Sequence, residues 1–216
     1  MSAIPHSRII LGAAALLLSA PAHADHVKVI LMGGQSNMVG NSCLTSDLPP
    51  ELQVPQNDVM FYNGGLTTLR PGSGQAFGPE ITFGRTIEDT FPSETFCLMK
   101  YAVNGSSLLT RWNPSTGDVY ASFNTRVANC ITALTNAGHT YEFVGMLWTQ
   151  GEAEASSGTT TPVYQAALNE FIADIRTRYG PNLPFFVSRE NGVRVQNLTE
   201  IPAPPRSVEN GAGCKT

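Results

Sequence analysis

A serine hydroxyl becomes a nucleophile when a base takes its proton and donors await the oxyanion that its attack creates. In this 216-residue sequence the candidate is Ser36, within Gly33-Gly34-Gln35-Ser36-Asn37-Met38 and directly after the apolar run at 27–32. A short β-branched and aliphatic run that halts at a glycine pair reads as a buried strand delivering the chain into a tight turn. Ser36 stands where that turn opens, at the rim where α/β sheets bind their ligands. The same position also suits a serine that only caps the next helix, and this stretch alone leaves both readings open. Two further turns offer donors: Asn104-Gly105-Ser106-Ser107 and Gln150-Gly151-Glu152. Together the backbone N–H of Ser36, the backbone N–H of Gly105 and the side-chain amide of Gln150 can converge on one oxygen, although taken singly Gly105 is better read as permitting a tight turn and Gln150 as tying loops together.

The elements that must position these turns follow from the pattern. Residues 27–32, 59–62, 95–103, 141–149 and 185–187 read as strands, and each of the three polar turns sits at a strand's carboxyl end. Pro79 and Glu80 signal a helix start, with Ile81, Gly84 and Ile87 toward the sheet and Phe91 as a further candidate. Phe123, Val127, Cys130, Ile131 and Leu134 recur at helical spacing before Gly138. A third helix starts at Thr161-Pro162 and carries Tyr164, Leu168, Phe171, Ile172, Ile175 and Tyr179 on one face. Alternating strands and helices imply right-handed crossovers, a mainly parallel sheet and an α/β fold with the three turns on one edge. Residues 41–57 read as a long surface loop, of the kind that often carries binding residues.

Composition narrows the class. The net charge of −4 comes without any Lys/Arg cluster, which argues against a nucleic acid or an anionic membrane surface as partner. Arg8, the apolar run at 9–18 and the small-residue series ending at Ala24 read as a signal peptide over residues 1–24, and hence as a secreted or periplasmic protein without a membrane anchor. Residues 25–188 form the expected domain. Residues 189–216, rich in proline and glycine, read as an irregular tail after an unfinished fold. Cys43, Cys97, Cys130 and Cys214 allow three full disulfide pairings, and Cys97 and Cys130 are equally placed to be small buried hydrophobes. No Cys/His spacing suggests zinc.

Four motifs in order carry a family resemblance: Gly-Gln-Ser-Asn-Met at 34–38, Gly78-Pro79-Glu80, the run from Lys100 to Leu108 with Asn104-Gly105, and Trp148-Thr149-Gln150-Gly151-Glu152. Over residues 27–187 the chain resembles the sialate O-acetylesterase/acetylxylan esterase group of the SGNH hydrolase superfamily. The resemblance implies a flavodoxin-like three-layer α/β/α sandwich, no metal or other cofactor, and removal of acetyl groups from O-acetylated carbohydrates through an acyl-enzyme. It makes Ser36 the nucleophile, with Ser36, Gly105 and Gln150 forming the oxyanion hole. Gln35, Asn37 and Glu152 support the site, Glu152 ordering it rather than reacting.

That family carries its aspartate and histidine in a carboxyl-terminal Asp-x-x-His, a motif this sequence does not contain. Its histidines are His6, His23, His26 and His139. His26 and His139 fall at the strand edge opposite Ser36, so the expectation is a chain without its catalytic base. The alternative to an active esterase is therefore a non-catalytic carbohydrate-binding remnant or an inactive fragment, with Trp112, Trp148 and the 41–57 loop as candidates for a sugar-stacking surface, although Trp148, ending a buried strand, is more often a core residue.

Overall fold

Strand β1 (His26–Gly34) is apolar on both faces, as a strand covered from two sides must be. Val27, Val29 and Leu31 enter one core, while Ile30 and Met32 enter the other. The computed structural model of the protein describes residues 24–41, 43–72 and 77–188. In it β1 is central to a six-stranded sheet with β2 (Gln56–Tyr62), β3 (Leu66–Leu69), β4 (Thr95–Ala102), β5 (Thr140–Thr149) and β6 (Phe185–Val187). The order is β3-β2-β4-β1-β5-β6, parallel throughout except for the β2/β3 hairpin. The chain moves to one side of β1 for β2 and β4 and to the other for β5 and β6. The carboxyl end of β1 is therefore a topological switch point, where α/β sheets open a crevice.

Helices cover both faces. On one side α2 (Glu80–Thr90) buries Ile81 and Ile87. On the other, α3 (Asp118–Asn136) and α5 (Thr161–Tyr179) bury Phe123, Val127, Cys130, Leu134, Leu168, Phe171 and Ile175. Two short helices, α1 (Ser36–Val39) and α4 (Glu152–Ser156), follow β1 and β5 directly. The expected α/β sandwich is present, with five strands and three long helices near their expected positions.

Several expectations are corrected by packing. The 41–57 stretch is no free loop: two 3-10 turns, Thr45–Asp47 and Pro50–Leu52, seat Cys43, Leu48 and Leu52 in the α2-side core, and its last two residues begin β2. Phe91 is 53% exposed at the end of α2, since the helix stops before its ring can turn inward. Trp148 is in the core, as the end of a buried strand implies, and Trp112 is fully buried against it, edge to face at 4.9 Å, so neither offers a ring for a sugar to stack on. Cys43 is disulfide-bonded, whereas Cys97 and Cys130 are free, buried thiols in hydrogen-bond contact. Residues 1–23 and 189–216, and with them His6, His23 and Cys214, lie outside the described residues.

One buried ion pair ties the sheet to the helices around Ser36. Lys100 on β4 donates to Glu80 at the start of α2 at 2.6 Å, and to the carbonyl of Val39 at the end of α1 at 3.2 Å. Both side chains are over nine-tenths buried. Burial pushes the Lys100 pKa below its ordinary value, against the opposing pull of Glu80. Removing Lys100 leaves the Glu80 carboxylate buried and uncompensated, with only the Gly78 N–H donating to its Oε1 at 3.1 Å. We predict that Lys100→Met destabilises the protein by about 3–5 kcal/mol, read from urea unfolding. A loss under about 1 kcal/mol would mean that Glu80 reaches solvent or another donor.

Candidate active site

The site is built by how tightly three strand ends approach. Gly34 has φ +148°, and a Cβ there would stand 2.0 Å from the carbonyl oxygen of Thr149 on β5. Only glycine permits that approach. Next along, Gln35 N–H donates to the same Thr149 oxygen at 2.9 Å, while the Gly34 carbonyl accepts from Val103 N–H at 3.1 Å. The ends of β4 and β5 are thus locked on either side of β1. The turns at 35–37, 104–107 and 150–152 share one edge, as the strand pattern implies.

Ser36 is the first residue of α1, with Gln35 in the cap position and no side-chain capping bond. Its half-buried hydroxyl has no hydrogen-bond partner among the described residues, so it does not cap the helix. The backbone N–H groups of Ser36 and Gly105 are likewise unpaired among the described residues. Gly105 has φ +61°, and nothing lies within 4 Å of where its Cβ would stand, so this turn faces open space. A free hydroxyl and two free N–H groups on one sheet edge are the parts that acyl transfer requires.

The remaining polar groups are spent on one another. Gln150 is buried, and its amide nitrogen donates to Glu154, to the Ser106 carbonyl at 3.1 Å and to Gln35 Oε1 at 3.4 Å. The Tyr164 hydroxyl lies 3.0 Å from the Gln150 carbonyl and 3.1 Å from its Oε1. Donation from Gln150 to an oxyanion would require one of these bonds to be given up. Gln35 Oε1 also accepts from Ala153 N–H at 3.3 Å. Asn37 donates to one carboxylate oxygen of Glu152, while the other is buried with no partner among the described residues. Glu152 and Asn37 therefore link the β1 and β5 turns beside the serine.

Sequence reasoning missed Glu154. Its carboxylate accepts from Leu108 N–H at 2.6 Å and Leu109 N–H at 3.3 Å, as well as from Gln150. Glu152 and Glu154 look alike in sequence, both being acids in the first turn of α4 that favour its dipole. Only packing separates them, since Glu154 is 3% exposed. Through it the loop carrying Gly105 is clamped to the β5 turn. We predict that Glu154→Ala costs about 2–4 kcal/mol in urea unfolding, because it orphans the buried Leu108 N–H and the part-buried Leu109 N–H and takes one of three acceptors from the Gln150 amide. A cost below about 0.5 kcal/mol, the range of surface substitutions, would show that the loop is held by other means.

No histidine of the described residues reaches Ser36. His26 Nδ1 lies 2.9 Å from Thr140 Oγ1 at the amino end of β1, and His139 sits 3.8 Å from Asp25 at the same edge. The length of β1 puts that edge roughly 25 Å or more from the serine.

A family model described as carbohydrate esterase, sialic acid-specific acetylesterase, matches residues 26–201. No curated protein matches the chain in sequence. Among solved structures, a protein of Arabidopsis thaliana superposes with TM-score 0.60 at 16% identity, covering 74% of this chain and 72% of its own. NanS superposes with TM-score 0.53 at 14% identity, over 76% of this chain and 67% of its own. A carbohydrate acetylesterase from Xanthomonas citri gives 0.51 at 16% identity, over 74% of this chain and 40% of its own. At such identities the superpositions speak for a shared α/β fold. The family match spans most of the sequence and includes all three turns of the switch point, and by it the chain belongs to the carbohydrate esterases of the sialic acid-specific acetylesterase family.

Proposed function

We propose that this chain is a serine esterase that removes O-acetyl groups from carbohydrates, with Ser36 as nucleophile. The observation that carries the reading is the unpartnered Ser36 hydroxyl on the edge that also presents the free N–H groups of Ser36 and Gly105. In this reading Ser36 Oγ bonds to the acetyl carbonyl carbon as its proton passes to a base. The oxygen that becomes negative accepts from the two N–H groups. Collapse of the intermediate breaks the bond to the sugar oxygen, which leaves as a hydroxyl, and water then releases acetate from Ser36. Gln35, Gln150 and the Asn37–Glu152 contact hold the turns in register for these steps. We place the reaction in a secreted or periplasmic setting, for which the disulfide at Cys43 is the support.

One observation favours a second reading, carbohydrate binding without turnover: neither His26 nor His139 is within reach of Ser36. An esterase needs its base within hydrogen-bond distance, directly or through one water. Acetate release from acetylated xylan and from p-nitrophenyl acetate, by the wild type and by Ser36→Ala, separates the two. The esterase reading expects Ser36→Ala to lose about 10³-fold or more in kcat. It also expects an unchanged Tm, because the hydroxyl holds no bond among the described residues. Equal background rates from both proteins, with retained affinity for acetylated oligosaccharide, would establish binding without catalysis instead.

A further inference from the structure

A side-chain amide has a donor end and an acceptor end, and the groups around Gln150 decide which end faces the strand turns. Its nitrogen meets three acceptors: the Glu154 carboxylate, the Ser106 carbonyl at 3.1 Å and Gln35 Oε1 at 3.4 Å. Turned over, the amide would set its oxygen against all three, acceptor on acceptor. At the other end one donor meets Oε1. It is the Tyr164 hydroxyl, at 3.1 Å, which also lies 3.0 Å from the Gln150 backbone carbonyl.

Tyr164 stands in the first turn of α5, 5% exposed, with its ring in the core on that side of the sheet. A phenylalanine would fill the same space, so packing alone does not account for the hydroxyl. Burial pushes the Tyr164 pKa up to about 12, so the phenol keeps its proton at neutral pH and donates it. Both of its acceptors belong to Gln150. Whichever way the proton turns, it ties Gln150 to α5, and no other group among the described residues donates to Gln150 Oε1.

The nitrogen end is the one the site can use. Two amide protons serve three acceptors, and the Gln35 contact is the longest, beyond the usual limit of about 3.2 Å for N–H···O bonds. That contact is the one an arriving oxyanion can displace. We propose that Tyr164 is a positioning residue of the Ser36 site: through Gln150 Oε1 it keeps the amide nitrogen turned toward the β1 and β4 turns, where its Gln35 contact is exchangeable for the oxyanion. The proposal rests on the esterase reading, with Gln150 as the third donor beside the N–H groups of Ser36 and Gly105. Buried and bonded to Gln150, Tyr164 acts on the reaction only through it.

A double-mutant cycle tests this, with p-nitrophenyl acetate hydrolysis measured over the Ser36→Ala background in wild type, Tyr164→Phe, Gln150→Ala and the double variant. Tyr164→Phe should lower kcat about tenfold and leave KM within about twofold, since a misdirected oxyanion donor weakens the transition state alone. Once Gln150 is replaced by alanine, the same substitution should cost nothing further. Tyr179→Phe is the structural control: it removes a part-buried hydroxyl that donates to Asn124 Oδ1 at 2.5 Å, and should lower Tm without changing kcat. An unchanged kcat in Tyr164→Phe, a rise in KM alone, or an equal loss with Gln150 present and absent would each overturn the proposal. Amide exchange adds a readout that needs no turnover. The Gln150 side-chain amide signals in NMR, identified by their loss in Gln150→Ala, should exchange with water about tenfold faster in Tyr164→Phe. Unchanged exchange would overturn the proposal as well. A wild type no faster than Ser36→Ala would sink the esterase reading alone, because exchange still reports whether Tyr164 holds Gln150.

Discussion

The site depends on one close approach, that of the Gly34 backbone to the Thr149 carbonyl. Any side chain at Gly34 would push β5 away from β1 at the point where the two strands end. The Gln35 and Val103 N–H bonds, which draw the second and third turns inward, hold only while that distance is kept. Behind it, a Cβ at Gly33 would stand 3.0 Å from the Met146 methyl and 3.2 Å from the Trp148 ring, a milder crowding by side chains, so the glycine pair closes the edge and fits the core beneath it. The pair therefore acts through space: it determines how near the serine turn can come to its neighbours.

Around that approach the polar groups divide into two populations. Gln35, Ser106, Gln150 and Glu154 are buried, and each is hydrogen-bonded, as burial in low dielectric requires. The network reaches into the hydrophobic core, where the buried Trp112 donates its indole N–H to Ser106 Oγ at 2.7 Å. Core packing and loop position are thereby coupled, since an indole N–H cannot be left unpaired in the interior without cost. Ser36 Oγ, Ser36 N–H and Gly105 N–H stand outside this economy, at the rim where solvent or a ligand can satisfy them.

Much of the architecture was legible in the sequence because burial on both faces leaves near-continuous apolar runs, as in β1 and β4, and because helices that cover a sheet keep a 3.6-residue period, as in α3. Strand β3 was not, although Asn63-Gly64-Gly65 before it is a hairpin signal. Its four residues, Leu66–Leu69, are too short for a period to emerge. The Ser36, Gly105 and Gln150 turns could be found because strand ends announce themselves by glycine and small polar residues. Glu154 and the Tyr164 hydroxyl could not. A carboxylate in a helix's first turn looks solvated in sequence and a tyrosine on a helix's apolar face looks like core, and what distinguishes them is the loop or turn that packs on them from elsewhere along the chain. Trp112 shows the converse, since a residue suited to sugar stacking was drawn into the core by the rings around it.

The same reasoning bears on Glu152. A carboxylate with one oxygen bound to Asn37 and the other buried without a partner among the described residues is a local departure from polar satisfaction, next to a serine that is itself unpaired. With the Trp148 indole N–H, also buried without a partner among the described residues, these departures gather at the carboxyl end of β1 and β5, beside the bonded Gln35, Ser106, Gln150 and Glu154. Stability alone would favour pairing these groups with their neighbours, and the turn geometry that keeps them apart is rigidly enforced by Gly34 and Glu154. Local departures from polar satisfaction beside a well-bonded scaffold are where a functional requirement, rather than folding, is expected to have set the sequence.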